Sequence, residues 1–124
     1  MKVIVFNATQ VQKEHLAWAN LKKHKITVIA SPLDIGNVRF CVAKEAVMMM
    51  NWQKNLSTEL LEKLALYRIK LLLTTSPNPP ATDPVSVVNP GFEYHMIHSA
   101  DSRALAWQII RLLDSWQKSD ENHF

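Results

Sequence analysis

The chain alternates short runs of apolar, β-favouring residues with amphipathic helical segments, and this alternation constrains the fold more than any other feature. Compact apolar runs at residues 2–7, 26–30, 46–50 and 69–74 have the profile of strands that are buried on both faces. Helical patterns lie between them and after them. This order predicts a single α/β domain with a parallel sheet, right-handed crossovers and helices on both faces of the sheet.

The helical segments have recognisable ends. Thr9 and Ser57 can cap helices over residues 10–23 and 58–67, because a hydroxyl oxygen can accept from a free amide of the first turn. A short helix is predicted over residues 37–44. The first helix shows Val11, His15 and Trp18 at helical spacing.

The last helix is predicted over residues 101–117, with a frayed tail at 119–124. Its apolar residues cover a wider arc of the helix surface than the single apolar stripe of a helix that packs on one neighbour, which indicates contact with more than the sheet. They are Leu105, Ile109, Ile110, Leu112, Leu113 and Trp116.

A proline-rich segment interrupts the alternation at residues 76–84. It holds four of the chain's six prolines, and proline inside a helix removes a donor and clashes with the preceding turn. An extended loop is therefore predicted where the pattern calls for a helix. Residues 85–88 are predicted to form a short fifth strand, and residues 93–98 an irregular stretch.

Size and composition limit the class of protein. The 124 residues suit one domain, and the net charge of +3 is too small and too dispersed to indicate a nucleic-acid partner. Cys41 is the only cysteine, which excludes an internal disulfide. The first apolar run is too short for a signal peptide and no run is long enough to span a membrane, so a cytoplasmic protein is expected.

The loops that follow the first, third and fourth strands are the expected place for chemistry, because parallel sheets bind ligands at the carboxyl ends of their strands. Dinucleotide and phosphate loops need glycine, and the only glycines are Gly36 and Gly91. Rossmann, P-loop and flavin sites are therefore disfavoured after the first strand. Asn7 and Asn51 stand where a phosphate-receiver domain needs acidic residues.

The remaining candidates are isolated residues. Cys41 and the Met48–Met50 triplet are interpreted as core residues. Glu93, His95 and His98 are close in sequence, but a closed metal site needs four ligands, so no metal is predicted. Trp52 either stacks on a ligand or partner, or is partly buried against the sheet edge.

The order of elements and two segments resemble a known family. The segments at residues 56–65 and 69–73, within the stretch 1–76, are similar to the substrate-binding domain of D-lactate dehydrogenases and other D-2-hydroxyacid dehydrogenases. The resemblance implies a flavodoxin-like three-layer sandwich over residues 1–118, with a five-stranded parallel sheet in the order 2-1-3-4-5 and a long C-terminal helix.

The family inserts a complete NAD-binding domain after the fifth strand, and the resemblance locates the missing insert in this sequence. Residues 85–90 resemble the fifth strand and the turn after it, so the excision point is expected between Asn89 and His95. His98, shortly before the last helix, resembles the family's catalytic histidine.

Departures from the family argue against dehydrogenase activity. The substrate carboxylate is bound there by backbone amides after the fourth strand, where this chain has prolines that lack the donor. The family's catalytic arginine and glutamate belong to the absent domain, and His98 has no evident partner. A hydride transfer also needs a nicotinamide, so no cofactor is expected unless another chain supplies NAD.

Two functional classes remain open. The first is a pseudoenzyme, a non-catalytic binding module that meets a second copy or another protein through Trp52, Trp107 and the last helix. The second is an oxidoreductase subunit that binds a small hydroxy or keto acid and uses NAD from another chain. In that reading His98 is the catalytic residue, and the substrate-binding residues are Asn7, Asn51, Trp52, Gln53, Thr75 and Ser76.

Overall fold

The computed structural model describes residues 1–51, 57–76, 92–98 and 101–121; for Ser76, His98 and residues 119–121 only the backbone is described. In this part of the chain, five parallel strands form one sheet in the order β2-β1-β3-β4-β5. The strands are β1 (Lys2–Phe6), β2 (Lys25–Ile29), β3 (Ala46–Met49), β4 (Leu71–Ser76) and β5 (Glu93–His98). The predicted flavodoxin-like sheet and its strand order are confirmed.

Within the described ranges, three α-helices and one short 3-10 helix cover the sheet. They are α1 (Gln10–Asn20), the 3-10 helix (Val38–Cys41), α2 (Thr58–Leu66) and α3 (Ser102–Glu121). Thr9 and Ser57 cap α1 and α2 as predicted, each accepting from a backbone amide of the first turn. The helix α3 continues past Gln117 into residues 119–121, which the sequence pattern assigns to a tail.

The fifth strand differs from the prediction. Residues 85–88 lie outside the described part of the chain, and the strand that pairs with β4 is Glu93–His98, in register from Leu71 opposite Glu93 to Ser76 opposite His98. This strand lies at the edge of the sheet and is only partly buried, so it does not need a continuous apolar run. The irregular stretch predicted at residues 93–98 is therefore wrong, whereas the excision point expected between Asn89 and His95 stays a prediction.

The ends of β4 and α1 also differ from the prediction. Strand β4 ends at Ser76 rather than Thr74, so Thr75 and Ser76 belong to the strand and not to the loop after it. Helix α1 ends at Asn20, because Leu21 adopts the left-handed conformation that terminates helices. Lys22 and Lys23 therefore follow the helix instead of lying in its last turn.

Two apolar layers hold the sandwich together. Residues of α1 and α3 pack on one face of the sheet, and residues of α2 and the 3-10 helix pack on the other. Met48 and Met50 lie in the first layer and Met49 and Cys41 in the second, as expected for core residues. Within the described residues, no helix has the length and apolar character needed to cross a membrane.

The wide apolar arc of α3 is buried within the domain. Leu105, Ile109, Ile110 and Leu113 all lie in the core, and α3 packs against α1 as well as against the sheet. The arc is therefore explained by two internal contacts, and most of it is not available to a partner.

The buried face of α1 is not the face on which Val11, His15 and Trp18 recur at helical spacing. Leu16, Ala19 and Asn20 face the core, whereas Val11 is 52% exposed and Trp18 is 55% exposed. The apolar residues Val11 and Trp18 thus lie on the solvent side of the helix.

Candidate functional site

The carboxyl ends of the central strands bring together three of the residues that the sequence singles out. Asn7 follows β1, and Asn51 lies two positions after β3. Thr75 is the penultimate residue of β4. Asn7 and Asn51 both adopt left-handed backbone conformations, with φ of 65° and 57°. Asparagine tolerates this conformation better than most residues, which is a structural reason for asparagine at both positions.

The two asparagines are hydrogen-bonded across the strand ends. Asn7 Nδ2 donates to the Met50 carbonyl at 3.1 Å, and Asn51 Nδ2 donates to the Asn7 carbonyl at 3.1 Å. Each side chain therefore satisfies a backbone carbonyl of the neighbouring loop. These bonds fix the exits of β1 and β3 relative to each other.

Gln12 completes this arrangement, although the sequence patterns do not single it out as a site residue. Its Nε2 donates to Asn51 Oδ1 at 3.1 Å, and its Oε1 accepts from Asn51 Nδ2 at 3.0 Å and from the Thr9 amide at 2.9 Å. The last bond belongs to a capping box, in which Thr9 Oγ1 accepts from the Gln12 amide. The Thr-x-x-Gln spacing is the sequence signal that could have found Gln12.

Thr75 closes the group from the side of β4. Its hydroxyl accepts from the Asn51 amide at 3.2 Å and donates to Met50 Sδ at 3.5 Å, and the residue is buried. We call Asn7, Gln12, Asn51 and Thr75 the carboxyl-edge network. Its side-chain groups are amides and one hydroxyl, which can bind polar ligands but do not exchange protons near neutral pH.

The other predicted site residues are described only in part or not at all. Trp52 and Gln53 lie outside the described residues. The strand register places Ser76 opposite His98, so both lie at the carboxyl end of the sheet, on the two strands farthest from β2.

The acidic and histidine residues of β5 do not form a metal site in the described structure. His95 Nε2 is 3.4 Å from Glu93 Oε2, and both side chains are solvent-accessible. Across residues 1–51, 57–76, 92–98 and 101–121, no three His, Cys, Asp or Glu side chains are grouped closely enough to hold a metal ion.

A second polar cluster lies near the other end of the strands, and the sequence patterns do not reveal it. His24 is buried, and its Nε2 donates to Asp114 Oδ1 at 2.7 Å; Lys23 Nζ is 3.3 Å from Asp114 Oδ2. Asn20 fixes the same turn, donating to the His24 carbonyl at 2.8 Å and accepting from its amide at 3.0 Å.

The pKa of Asp114 results from opposing influences. Partial burial raises the pKa of its carboxyl, but the hydrogen bonds and charges of His24 and Lys23 outweigh this and hold the pKa below its ordinary value of 3.8. The cluster therefore joins α3 to the turn after α1 through an ionised carboxylate.

The parallel sheet with strand order β2-β1-β3-β4-β5 and the helices on both of its faces define the class of the domain as flavodoxin-like α/β. No protein-family model matches the chain, and no curated protein sequence matches it. Solved structures do match, among them a D-2-hydroxyisocaproate dehydrogenase and two D-lactate dehydrogenases.

Three of these structures show the extent of the similarity. D-2-hydroxyisocaproate dehydrogenase is 18% identical, with a TM-score of 0.66 over 82% of this chain and 31% of its own. The apo D-lactate dehydrogenase of Escherichia coli is 18% identical, with a TM-score of 0.65 over 77% of this chain and 30% of its own. The D-lactate dehydrogenase of Lactobacillus jensenii, solved with NAD+, is 21% identical, with a TM-score of 0.62 over 77% of this chain and 29% of its own.

The similarity is one of fold. The chain spans about 30% of the length of the dehydrogenases that it matches. The resemblance seen in the sequence is confirmed at this level: the chain has the fold of one part of the D-2-hydroxyacid dehydrogenases.

Proposed function

We propose that this chain is a non-catalytic binding module, a pseudoenzyme built on the fold of the substrate-binding domain of D-2-hydroxyacid dehydrogenases. The observation that carries the proposal is the carboxyl-edge network. Asn51 uses both its side-chain oxygen and its side-chain nitrogen on Gln12 and Asn7, and the Thr75 hydroxyl is buried between Asn51 and Met50. Polar groups that a substrate would need are engaged within the protein.

The connection between β5 and α3 supports the same conclusion. In the dehydrogenase family the NAD-binding domain is inserted after the fifth strand. In this chain residues 85–90 resemble that strand and its turn, only residues 91–92 separate them from β5, and only residues 99–101 separate β5 from α3, so the connection is short throughout. Such a connection has no room for a cofactor domain, and hydride transfer requires a bound nicotinamide.

An exposed aromatic pair supplies the binding surface in this proposal. Trp18 on α1 and Trp107 on α3 meet edge to face, with ring centroids 5.3 Å apart, and they are 55% and 39% exposed. Val11 and Leu21 extend this apolar surface along the solvent side of α1 and its C-terminal cap. Large exposed aromatic residues are typical of interface centres, and we propose a second copy of the chain as the partner.

The first experiment tests cofactor binding and turnover. The purified chain is titrated with NADH while nicotinamide fluorescence and thermal stability are followed, and pyruvate is then added. We expect no fluorescence enhancement, no thermal shift and no NADH oxidation, with a complete D-lactate dehydrogenase as the positive control. Enhanced fluorescence together with pyruvate-dependent oxidation would overturn the proposal.

The second experiment tests the surface by light scattering after size exclusion. The wild type is expected to elute as a dimer, and the variant with Trp18→Ser and Trp107→Ser as a folded monomer. Phe40→Ser is the matched control, because Phe40 is an exposed aromatic residue in the 3-10 helix on the opposite face of the sheet. A dimer that survives the double substitution excludes this surface as the contact.

The alternative function is an oxidoreductase subunit whose NAD-binding domain belongs to another chain. It is favoured by the register of β4 and β5, which places His98 at the edge of the sheet where α/β proteins bind ligands. It predicts reduction of a 2-keto acid only when an NAD-binding chain is added, with loss of turnover in His98→Gln. Turnover that His98→Gln leaves unchanged would exclude this role for the histidine.

A further inference from the structure

A cavity of about 630 Å³ lies between α1 and the edge strand β2, near the amino ends of β1 and β2. Most of its lining lies toward the other end of the strands from the carboxyl-edge network. Its walls come from Met1, from α1 between Lys13 and Asn20, from the turn after α1, and from β2. The lining residues are Met1, Lys13, Leu16, Ala17, Asn20, Lys22, Lys23, His24, Lys25, Ile26 and Val28.

The rim of the cavity is strongly cationic. Four of the lining residues are lysines, and none is an aspartate or glutamate. Lys23 is paired with Asp114, whereas Lys13, Lys22 and Lys25 have no ion pair with any described residue. Three uncompensated ammonium groups around one concave surface produce a local positive potential that attracts anions.

The floor of the cavity is apolar. Leu16 is almost fully buried in the core, and Ile26 and Val28 of β2 are partly buried and pack against the same layer. Ala17 adds a small side chain from the exposed side of α1. Among the described residues β2 pairs with β1 alone and is the edge strand of the sheet, so its outer side carries no further strand there.

The turn that carries the lysines is held in place by hydrogen bonds. Asn20 bonds both backbone groups of His24, and the buried His24 ring is bonded to Asp114 of α3. The backbone that carries Lys22 and Lys23 is thus fixed before any ligand arrives, which reduces the backbone entropy lost on binding.

We propose that this cavity binds an amphipathic organic anion, a small molecule with a hydrocarbon or aromatic body and an acidic head group. The body would lie on Leu16, Ala17, Ile26 and Val28, and the head group beside Lys13, Lys22 and Lys25. The volume is within the range of about 300–1,000 Å³ typical of small-molecule sites. This site is separate from the proposed function and does not depend on it.

The probe is 8-anilinonaphthalene-1-sulfonate, which combines an aromatic body with one negative charge and fluoresces when it is shielded from water. We expect saturable binding to the folded chain that weakens as ionic strength increases. Decanoate should displace the probe. Decyltrimethylammonium, with the same chain and the opposite charge, and inorganic phosphate, with charge but no apolar body, should not.

Two variants test the two halves of the site. The triple variant Lys13→Glu, Lys22→Glu and Lys25→Glu should weaken probe affinity by about tenfold or more, because attraction becomes repulsion. Ala17→Phe should reduce binding without changing charge, by filling the floor from an exposed helical position.

Matched controls separate the cavity from general surface effects. Lys63→Glu reverses an exposed lysine on α2, on the other face of the sheet, and Gln108→Phe adds an exposed phenyl ring on α3. Both are expected to keep wild-type affinity. The proposal is overturned if the folded chain shows no saturable binding of the probe, or if the triple variant binds the probe as tightly as the wild type does. It is also overturned if decyltrimethylammonium or phosphate displaces the probe as well as decanoate does.

Discussion

The side-chain amides of Gln12 and Asn51 pair reciprocally, with Gln12 Nε2 donating to Asn51 Oδ1 at 3.1 Å and Asn51 Nδ2 donating to Gln12 Oε1 at 3.0 Å. The pair ties the first turn of α1 to the chain that leaves β3. Gln12 also belongs to the capping box of α1, so helix initiation and the geometry of the strand ends depend on one side chain.

Removing either amide should destabilise the fold. Gln12→Ala loses the cap bond and leaves Asn51 without its partner, so we expect the free energy of unfolding to fall by about 1–3 kcal/mol. Asn51→Gly is the matching change, because glycine accepts the left-handed conformation at this position. In a double-mutant cycle measured by urea denaturation, the coupling should be about 1 kcal/mol.

Gln10→Ala is the control for the Gln12 series. Gln10 is exposed in the same turn and its side chain donates to the exposed Glu14, so its removal should change stability by less than about 0.5 kcal/mol. Additive effects of Gln12→Ala and Asn51→Gly would contradict an energetically coupled pair.

The two faces of α1 should respond differently to truncation. Leu16 is 2% exposed within the core, so Leu16→Ala should cost about 2–5 kcal/mol of unfolding free energy. Val11 is 52% exposed, and Val11→Ala should stay within about 0.5 kcal/mol of the wild type. Equal losses by denaturant unfolding would show that the helix is rotated relative to the described structure.

Acid stability should depend on Asp114. Its pKa is below 3.8 in the folded protein, so as the pH falls the unfolded chain takes up the proton first. The stabilisation is therefore complete above the ordinary pKa and is lost as the pH decreases from there through the folded pKa. We expect Asp114→Asn to show a shallower loss of stability below about pH 4 than the wild type, measured by denaturant titrations.

Glu62→Gln is the matched control for this pH dependence. It removes one negative charge from an exposed position on α2, away from His24 and Lys23. Its stability profile below pH 4 should follow that of the wild type. If Asp114→Asn also follows the wild-type profile, the Asp114 carboxylate does not couple folding to pH.

Cys41 should be chemically inert in the folded protein. Burial raises the pKa of its thiol to about 12, against a smaller opposing effect from Lys44, and the side chain is fully buried in the layer beneath α2. Because the thiolate is the reactive form, labelling by iodoacetamide at pH 8 should be very slow in the native state and complete in denaturant. Rapid native labelling would show that the 3-10 helix opens.

The strands were the part of the fold most accessible to sequence reasoning. Val3–Phe6, Ala46–Met50 and Leu71–Leu73 are buried on both faces of a parallel sheet, and such strands need continuous apolar runs that are visible in the sequence. The caps Thr9 and Ser57 are equally local, because each depends on one hydroxyl and an amide three residues later.

The edge strand and the helix faces were not predictable in the same way. Within β5, Glu93 is exposed and residues 94–97 are only partly buried, so polar residues are tolerated there and the run resembles a loop. Val11 and Trp18 have the spacing of a buried stripe, yet α3 and the sheet approach α1 from the side of Leu16 and Ala19. Which face a helix buries depends on its neighbours.

The candidate sites could be predicted from the sequence to a smaller extent than the strands could. The sequence by itself determined the α/β alternation, the strand ends marked by Asn7 and Asn51, and the lack of a glycine loop after β1. Only the folded chain decided that Gln12 bonds Asn51 across 39 positions and that His24 meets Asp114 across 90. Such contacts arise from the packing of whole elements, which local patterns of residues do not encode.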